Sequence, residues 1–453
     1  MRKRSSREWR RTAAQMHALA SVRREIASQD AVVTSKYLDE FNQAFQRYDS
    51  VLSPDQLEQA IAQADILLIG DFHALPASQR FAAHLIEKCA QGRPIVLGVE
   101  AILARDQKLL DSWWRREIAA EELRQRLRFD REWGYPWEPF YELLCAARDH
   151  AEGIYGLDCL PREDLRRIRS RDRHAAAKIC ELRKHHPQAM VLVLFGESHV
   201  APQHLPRAVR DVVPDAKLLT LLQNIDGLYW QATNEQCPAL REGAVGAGKD
   251  AMCVFNSSPL EKCESYRLCL DRWHTENDEQ QDFAPAIYNL IFSLARALGF
   301  RLDSPSNGTQ PKYLTDSLPE VIHVRPDSAS AALSDDKSCV YLAESNSFLL
   351  REFQIAAAAE ECTRFLHFAC RGMTASSPVA RSLENALARF GSRLLSPEHN
   401  SADKTTAPAD LLYEKYLAGS ISQSAIRRMF LTHVETREQA ESAMDRLNEL
   451  TRA

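Results

Sequence analysis

Along the first half of the chain, apolar residues fall into short unbroken runs: ILLIG (66–70), PIVLGV (94–99), GIYGL (153–157), VLVLF (191–195) and KLLTLL (217–222). Each is too short for a helix and is bounded by turn residues, which predicts a strand buried on both faces. Between the runs the apolar positions change to helical spacing. Pro76 and Ala77 open a helix whose apolar side is Phe81, Leu85, Ile86 and Cys89, with Gly92 placed to stop it. DSWWRREIAAEELRQRLRF, the segment Phe140 to His150, and PREDLRRIRSRDRHAAAKICELRKHH predict further helices. Strands alternating with helices signal βαβ units. The expected fold class is therefore α/β, a mainly parallel sheet flanked by helices with its site at the C-terminal strand ends, followed by an α-helical C-terminal domain.

The pattern changes near residue 275. FAPAIYNLIFSLARALGF is an amphipathic helix, a polar Pro- and Ser-rich linker follows near 302–338, and SFLLREFQIAAAAEECTRFLHFACRG and the rest read as nearly all helical. The expected division is a basic helical arm at 1–30, an α/β domain at 31–275 and a helical accessory domain at 276–453, the last offering a surface for a homodimer or protein partner. On its helix, His367 could share a face with Glu360, and a core-edge histidine is the expectation there.

Composition narrows the class. A formal charge of −5 with 45% hydrophobic and 26% charged residues is that of an ordinary globular protein and argues against a nucleic-acid partner. The basic N-terminus is not followed by a signal-type apolar stretch, no lipobox is seen, and no run is long enough to span a membrane, so the expected location is cytoplasmic. Eleven cysteines, an odd number, suit reduced thiols. Cys237, Cys253, Cys263 and Cys269 lack the close chelate pair that a zinc site uses.

Two stretches carry the candidate chemistry. ILLIGDFHALP (66–76) and LVLFGESHVAP (192–202) both place Gly, an acid, any residue and His after an apolar run. With 16 Gly and 14 His in the chain, roughly half of one Gly-x-x-His tetrad is expected by chance. Two at strand ends point to a site. In a parallel sheet Asp71, His73, Glu100, Asp158, Glu197 and His199 all fall on the C-terminal edge, where open α/β sheets bind ligands. Arg80, one turn into the following helix, could hold an anionic group.

Three chemistries suit such a set. A divalent metal takes His73, Glu100 and His199 as ligands. A metal-free histidine, oriented by a carboxylate, acts as general base on a small-molecule substrate. The imidazoles can also ligate haem iron. No phosphate loop, nucleophile elbow or His-Glu-x-x-His is present.

The paired motifs at Gly70 to His73 and Gly196 to His199, with Glu100 on the intervening strand and Arg80 in the first helix, resemble the Tiki superfamily, which includes ChaN-like haem-binding proteins, erythromycin esterases and Tiki proteases. The stretch FYELLCAARDHAEGIYGLDCLPREDLRRI is most similar to the ChaN-like branch, and the resemblance covers roughly residues 50–230. It implies an α/β domain that binds haem or an iron cofactor, with His73, His199 and Tyr141 as cofactor-binding residues. The esterase branch implies instead an ester or amide hydrolase in which His73, Asp71, Glu100, Arg80, His199 and Glu197 serve catalysis. Asp71 stands where Glu is commoner in the family.

Overall fold

The computed structural model describes residues 12–30, 35–162, 167–235, 237–240, 242–274, 281–300, 318–324, 333, 337–371, 377–397, 407–432 and 434–452. Its strands, in chain order, are β1 (Ser50–Leu52), β2 (Ile66–Asp71), β3 (Ile95–Leu103), β4 (Gly153–Asp158), β5 (Met190–Gly196), β6 (Leu218–Gln223), β7 (Ala244–Gly246), β8 (Ala251–Val254), β9 (Glu320–His323), β10 (Cys339–Leu342) and β11 (Ser347–Leu350). Packing divides the chain into two compact units. The described residues of Val32–Lys262 make the first; those of Arg10–Ala31 and Cys263–Ala453 make the second.

The first unit is an eight-stranded sheet in the order β1-β7-β8-β6-β2-β5-β3-β4. From β8 to β4 all neighbours are parallel, while β7 and β1 close one edge antiparallel. The five apolar runs are its strands β2 to β6, and alternation splits each between two cores. Leu67, Ile69, Leu97, Val99, Leu192 and Leu194 pack on one face with the helices Pro76–Ala90 and Trp137–His150. Ile66, Leu68, Val96, Val191, Val193 and Phe195 pack on the other with Lys36–Ala44 and Ile168–His185. A strand that buries both faces has no polar positions to alternate, which is why its sequence reads as an unbroken run.

The second unit is mostly helical, with a three-stranded sheet in the order β10-β11-β9. This sheet corrects two expectations. Glu320–His323 lies in the segment read as polar linker, and Ser347–Leu350 opens the stretch read as helical; most of the linker itself, residues 302–317, 325–332 and 334–336, lies outside the described residues. Strands of four residues are too short to register a period. The expected free-standing arm also differs: Ala13–Gln29 buries Ala14, Ala18, Leu19 and Val22 and packs on the helix Ala284–Leu298, while residues 1–11 lie outside the described residues. His367 sits edge-on to Phe430 and Glu360 pairs with Arg389. Among the described residues no helix is long and apolar enough to cross a membrane, and all eleven cysteines are free thiols.

Candidate functional site

β2 and β5 are hydrogen-bonded neighbours, so both Gly-x-x-His motifs end on one stretch of sheet edge. Their register is staggered by one residue: Asp71 lies opposite Gly196, and Gly70 opposite Phe195. A one-residue offset sends equivalent side chains to opposite faces. Asp71 therefore turns toward its own His73, with Oδ2 2.7 Å from Nδ1. Glu197 turns away and meets the buried ammonium of Lys262 at 2.8 and 2.9 Å.

The second histidine finds its acid elsewhere. His199 Nδ1 lies 2.6 Å from Asp172 Oδ1, on the helix Ile168–His185. Each imidazole is thus held at Nδ1 by an aspartate, and each turns Nε2 toward one carboxylate. Glu100, at the end of β3, presents Oε2 to His73 at 3.6 Å and Oε1 to His199 at 3.7 Å. Arg171 donates to Glu100 Oε1 at 2.6 Å and to Asp158 at 2.8 and 2.9 Å, while the Gly196 N–H donates to Glu100 Oε2 at 2.5 Å. Arg162 donates to Asp158 and to the carbonyls of Glu100, Ala101 and Glu132. Gln79 donates to Asp71 at 2.6 Å.

Glu100 and Asp158 face the guanidiniums of Arg162 and Arg171, while Asp71 and Asp172 each meet an imidazole. Burial pulls His73 down, yet Asp71 and Glu100 together raise it above its ordinary value. Burial also opposes the charge on Glu100, but His199, His73, Arg171 and the Gly196 N–H outweigh it and hold the carboxyl down at about 2.

Above His73 a narrow cleft is walled by Trp133, Pro136, Phe140, Val99 and Leu194, with Asp71, Glu100 and Gln79 on its polar side. Trp133 and Tyr135 lie against the His73 ring at 4.4 and 5.1 Å between centroids. His73 is 18% exposed and His199 5%. The cleft thus reaches one imidazole and leaves the other behind it.

Several expected participants lie apart from this centre. Arg80 pairs with Glu142 on an exposed helix face, and the guanidinium at the cluster is Arg171. Tyr141 stacks on Trp137 and meets Trp113 edge-on; the phenol beside His73 belongs to Tyr135. Among the described residues, His73, Glu100 and His199 included, no group of three His, Cys, Asp or Glu is arranged to hold an ion. Imidazole and carboxylate ligands stand about 2 Å from a zinc ion and point at it, whereas here the Glu100 oxygens are engaged by Arg171 and Gly196. The same geometry bears on haem. An axial imidazole offers a deprotonated nitrogen to the iron, and both Nε2 atoms face a carboxylate instead, so the histidines do not fit as axial ligands.

Arg171 and Asp172 escaped the sequence reading, although a signal existed. They fall on the apolar stripe of their helix, in line with Ile168, Ala175, Ala176 and Ile179, where a charged pair has no solvent and so requires partners.

Residues 57–176 match the family described as haem-binding uptake, Tiki superfamily, ChaN. This segment is similar to that family. The matched segment contains Asp71, His73, Glu100, Asp158, Arg171 and Asp172 and stops short of His199. Among solved structures, one of cofacial haem binding to ChaN of Campylobacter jejuni is 16% identical, covering 40% of this chain and 94% of that one at a TM-score of 0.31. The type III effector HopBA1 is 14% identical over 45% of this chain and 95% of its own, TM-score 0.33. RRSP, a MARTX toxin effector domain from Vibrio vulnificus CMCP6, is 16% identical over 47% and 44%, TM-score 0.28. No curated protein matches the chain.

Proposed function

We propose that the α/β unit hydrolyses an ester or amide bond of a small molecule by acid–base catalysis at His73. The observation that supports this reading is the opposed pair of aspartate-held imidazoles facing Glu100 at 3.6 and 3.7 Å, one of them beside a narrow cleft. Asp71 fixes the ring of His73, and the raised affinity of that imidazole for its proton suits a donor to the leaving oxygen or nitrogen. As the acyl C–O or C–N bond breaks, His73 gives its proton to the departing group; the attacking water adds its oxygen to the acyl carbon and returns a proton to His73. Glu100 remains an anion throughout and holds the positive charge in place. The test is turnover of a panel of chromogenic esters and anilides. His73→Gln is expected to lower kcat about 10²–10⁴-fold with a smaller change in KM; unchanged kcat in that variant would end the reading.

The family match supports a second reading, haem binding. Tyr135, beside His73 and Trp133, is the oxygen donor of the kind that serves haem iron in place of an imidazole. A haemin titration followed at the Soret band checks it. Saturable binding that Tyr135→Phe abolishes and His73→Gln keeps would support it; no Soret shift in the wild type would remove it.

A further inference from the structure

Tyr37 belongs to the helix Lys36–Ala44, ahead of the segment that matches the family, and nothing in its own stretch of sequence marks it as part of a site. Its hydroxyl nevertheless lies at the centre of the second dyad. It donates to Asp172 Oδ2 at 3.0 Å and Oδ1 at 3.1 Å, and stands 3.0 Å from His199 Nδ1. All three side chains are buried, at 5, 3 and 4% exposure.

The ring of Tyr37 is held on both sides of this contact. His204 stacks on it at 3.5 Å and 9°, and is itself fixed by the Ser198 carbonyl at Nδ1 and Glu40 at Nε2. Ser35 caps the helix, and Phe41 and Phe45 anchor it in the core. Phe195 lies edge-on to His199 at 4.9 Å, so the imidazole has little room to turn. Burial and Asp172 push the Tyr37 phenol far above its ordinary value, which keeps its proton in place as a donor.

We propose that Tyr37 and Asp172 are positioning residues that fix His199 with its Nδ1–H on Asp172 and its Nε2 on Glu100. A carboxylate accepting at Nδ1 fixes the orientation of the ring, and with Tyr37 donating to Asp172 that carboxylate itself holds one orientation. The helix Lys36–Ala44 thereby completes a site that the matched segment leaves unfinished. This rests on the acid–base reading of the site, in which His199 and Glu100 set the field around His73.

The experiment is proton NMR of full-length protein labelled with ¹⁵N in histidine. A short Nδ1–H bond to a carboxylate gives a low-field imidazole resonance, and two are expected, from His73 on Asp71 at 2.7 Å and His199 on Asp172 at 2.6 Å. The His199 signal is assigned by its loss in His199→Gln and its persistence in His73→Gln and in the exposed control His84→Gln. It should vanish in Asp172→Asn and move in Tyr37→Phe, the latter removing one hydroxyl and leaving the packing. In turnover, Asp172→Asn should cost about 10²-fold and Tyr37→Phe about tenfold in kcat with KM nearly kept. A His199 signal unmoved by both substitutions, or ¹⁵N shifts that put the proton on Nε2 with Nδ1 bare, would overturn the proposal. Absence of turnover in the wild type would defeat the hydrolase reading, while the NMR shifts would still decide whether Tyr37 and Asp172 fix the His199 Nδ1–H and ring orientation.

Discussion

Gly196 donates its backbone N–H to Oε2 of Glu100 at 2.5 Å, across from the strand that carries that carboxylate. A Cβ at position 196 would stand 3.1 Å from both Glu100 Oε2 and His73 Nε2. A side chain at this glycine would crowd two functional atoms. Gly196→Ala should destabilise the fold by about 1–3 kcal/mol through overpacking and reduce turnover. Urea unfolding beside Gly92→Ala, where a Cβ meets only the Cys89 carbonyl at 3.8 Å, checks it, since the control should move little.

Arg171 and Arg80 should separate sharply. Arg171→Ala leaves the buried carboxylates of Glu100 and Asp158 without their shared partner and should cost about 3–5 kcal/mol. Arg80→Ala removes an exposed pair with Glu142 and should cost about 1 kcal/mol or less. Chemical denaturation of the two variants under one buffer decides between them.

Glu100 predicts an acid limb. Its carboxyl is held at about 2 in the folded protein against an ordinary 4.5. A group lowered on folding contributes stability above its unfolded value, and that contribution disappears as pH falls through the folded value. The stability gap between wild type and Glu100→Gln should therefore be full at pH 6 and narrow steadily from about pH 4.5 downward. Denaturation midpoints of both proteins from pH 6 to 3 measure it.

His73 predicts the opposite sign. Its proton is held more tightly in the folded state because Asp71 and Glu100 outweigh the burial penalty. A raised group contributes stability below its unfolded value, which is lost as pH rises through the folded one. Wild type should exceed His73→Gln in Tm by more at pH 5.5 than at pH 9. An equal gap at both would mean that His73 is not the proton-holding imidazole.

Much of the α/β unit was legible because burial on both faces of a parallel sheet erases polar positions, so five apolar runs announce five strands. Asp71, His73 and Glu100 were legible for a related reason: a polar residue just past such a run has one edge to occupy. The near-identity of the two motifs was also legible, but its symmetry was not real. The one-residue stagger between β2 and β5, set by hydrogen bonding of whole strands, brings Asp71 to His73 and sends Glu197 to Lys262. His199 then takes its acid from Asp172 on a crossover helix and its fixed orientation from Tyr37 on a helix that precedes the sheet. Local sequence determines which residues must be buried and with what period. Register and long-range packing determine which buried charges meet, and these depend on every other element in the sheet.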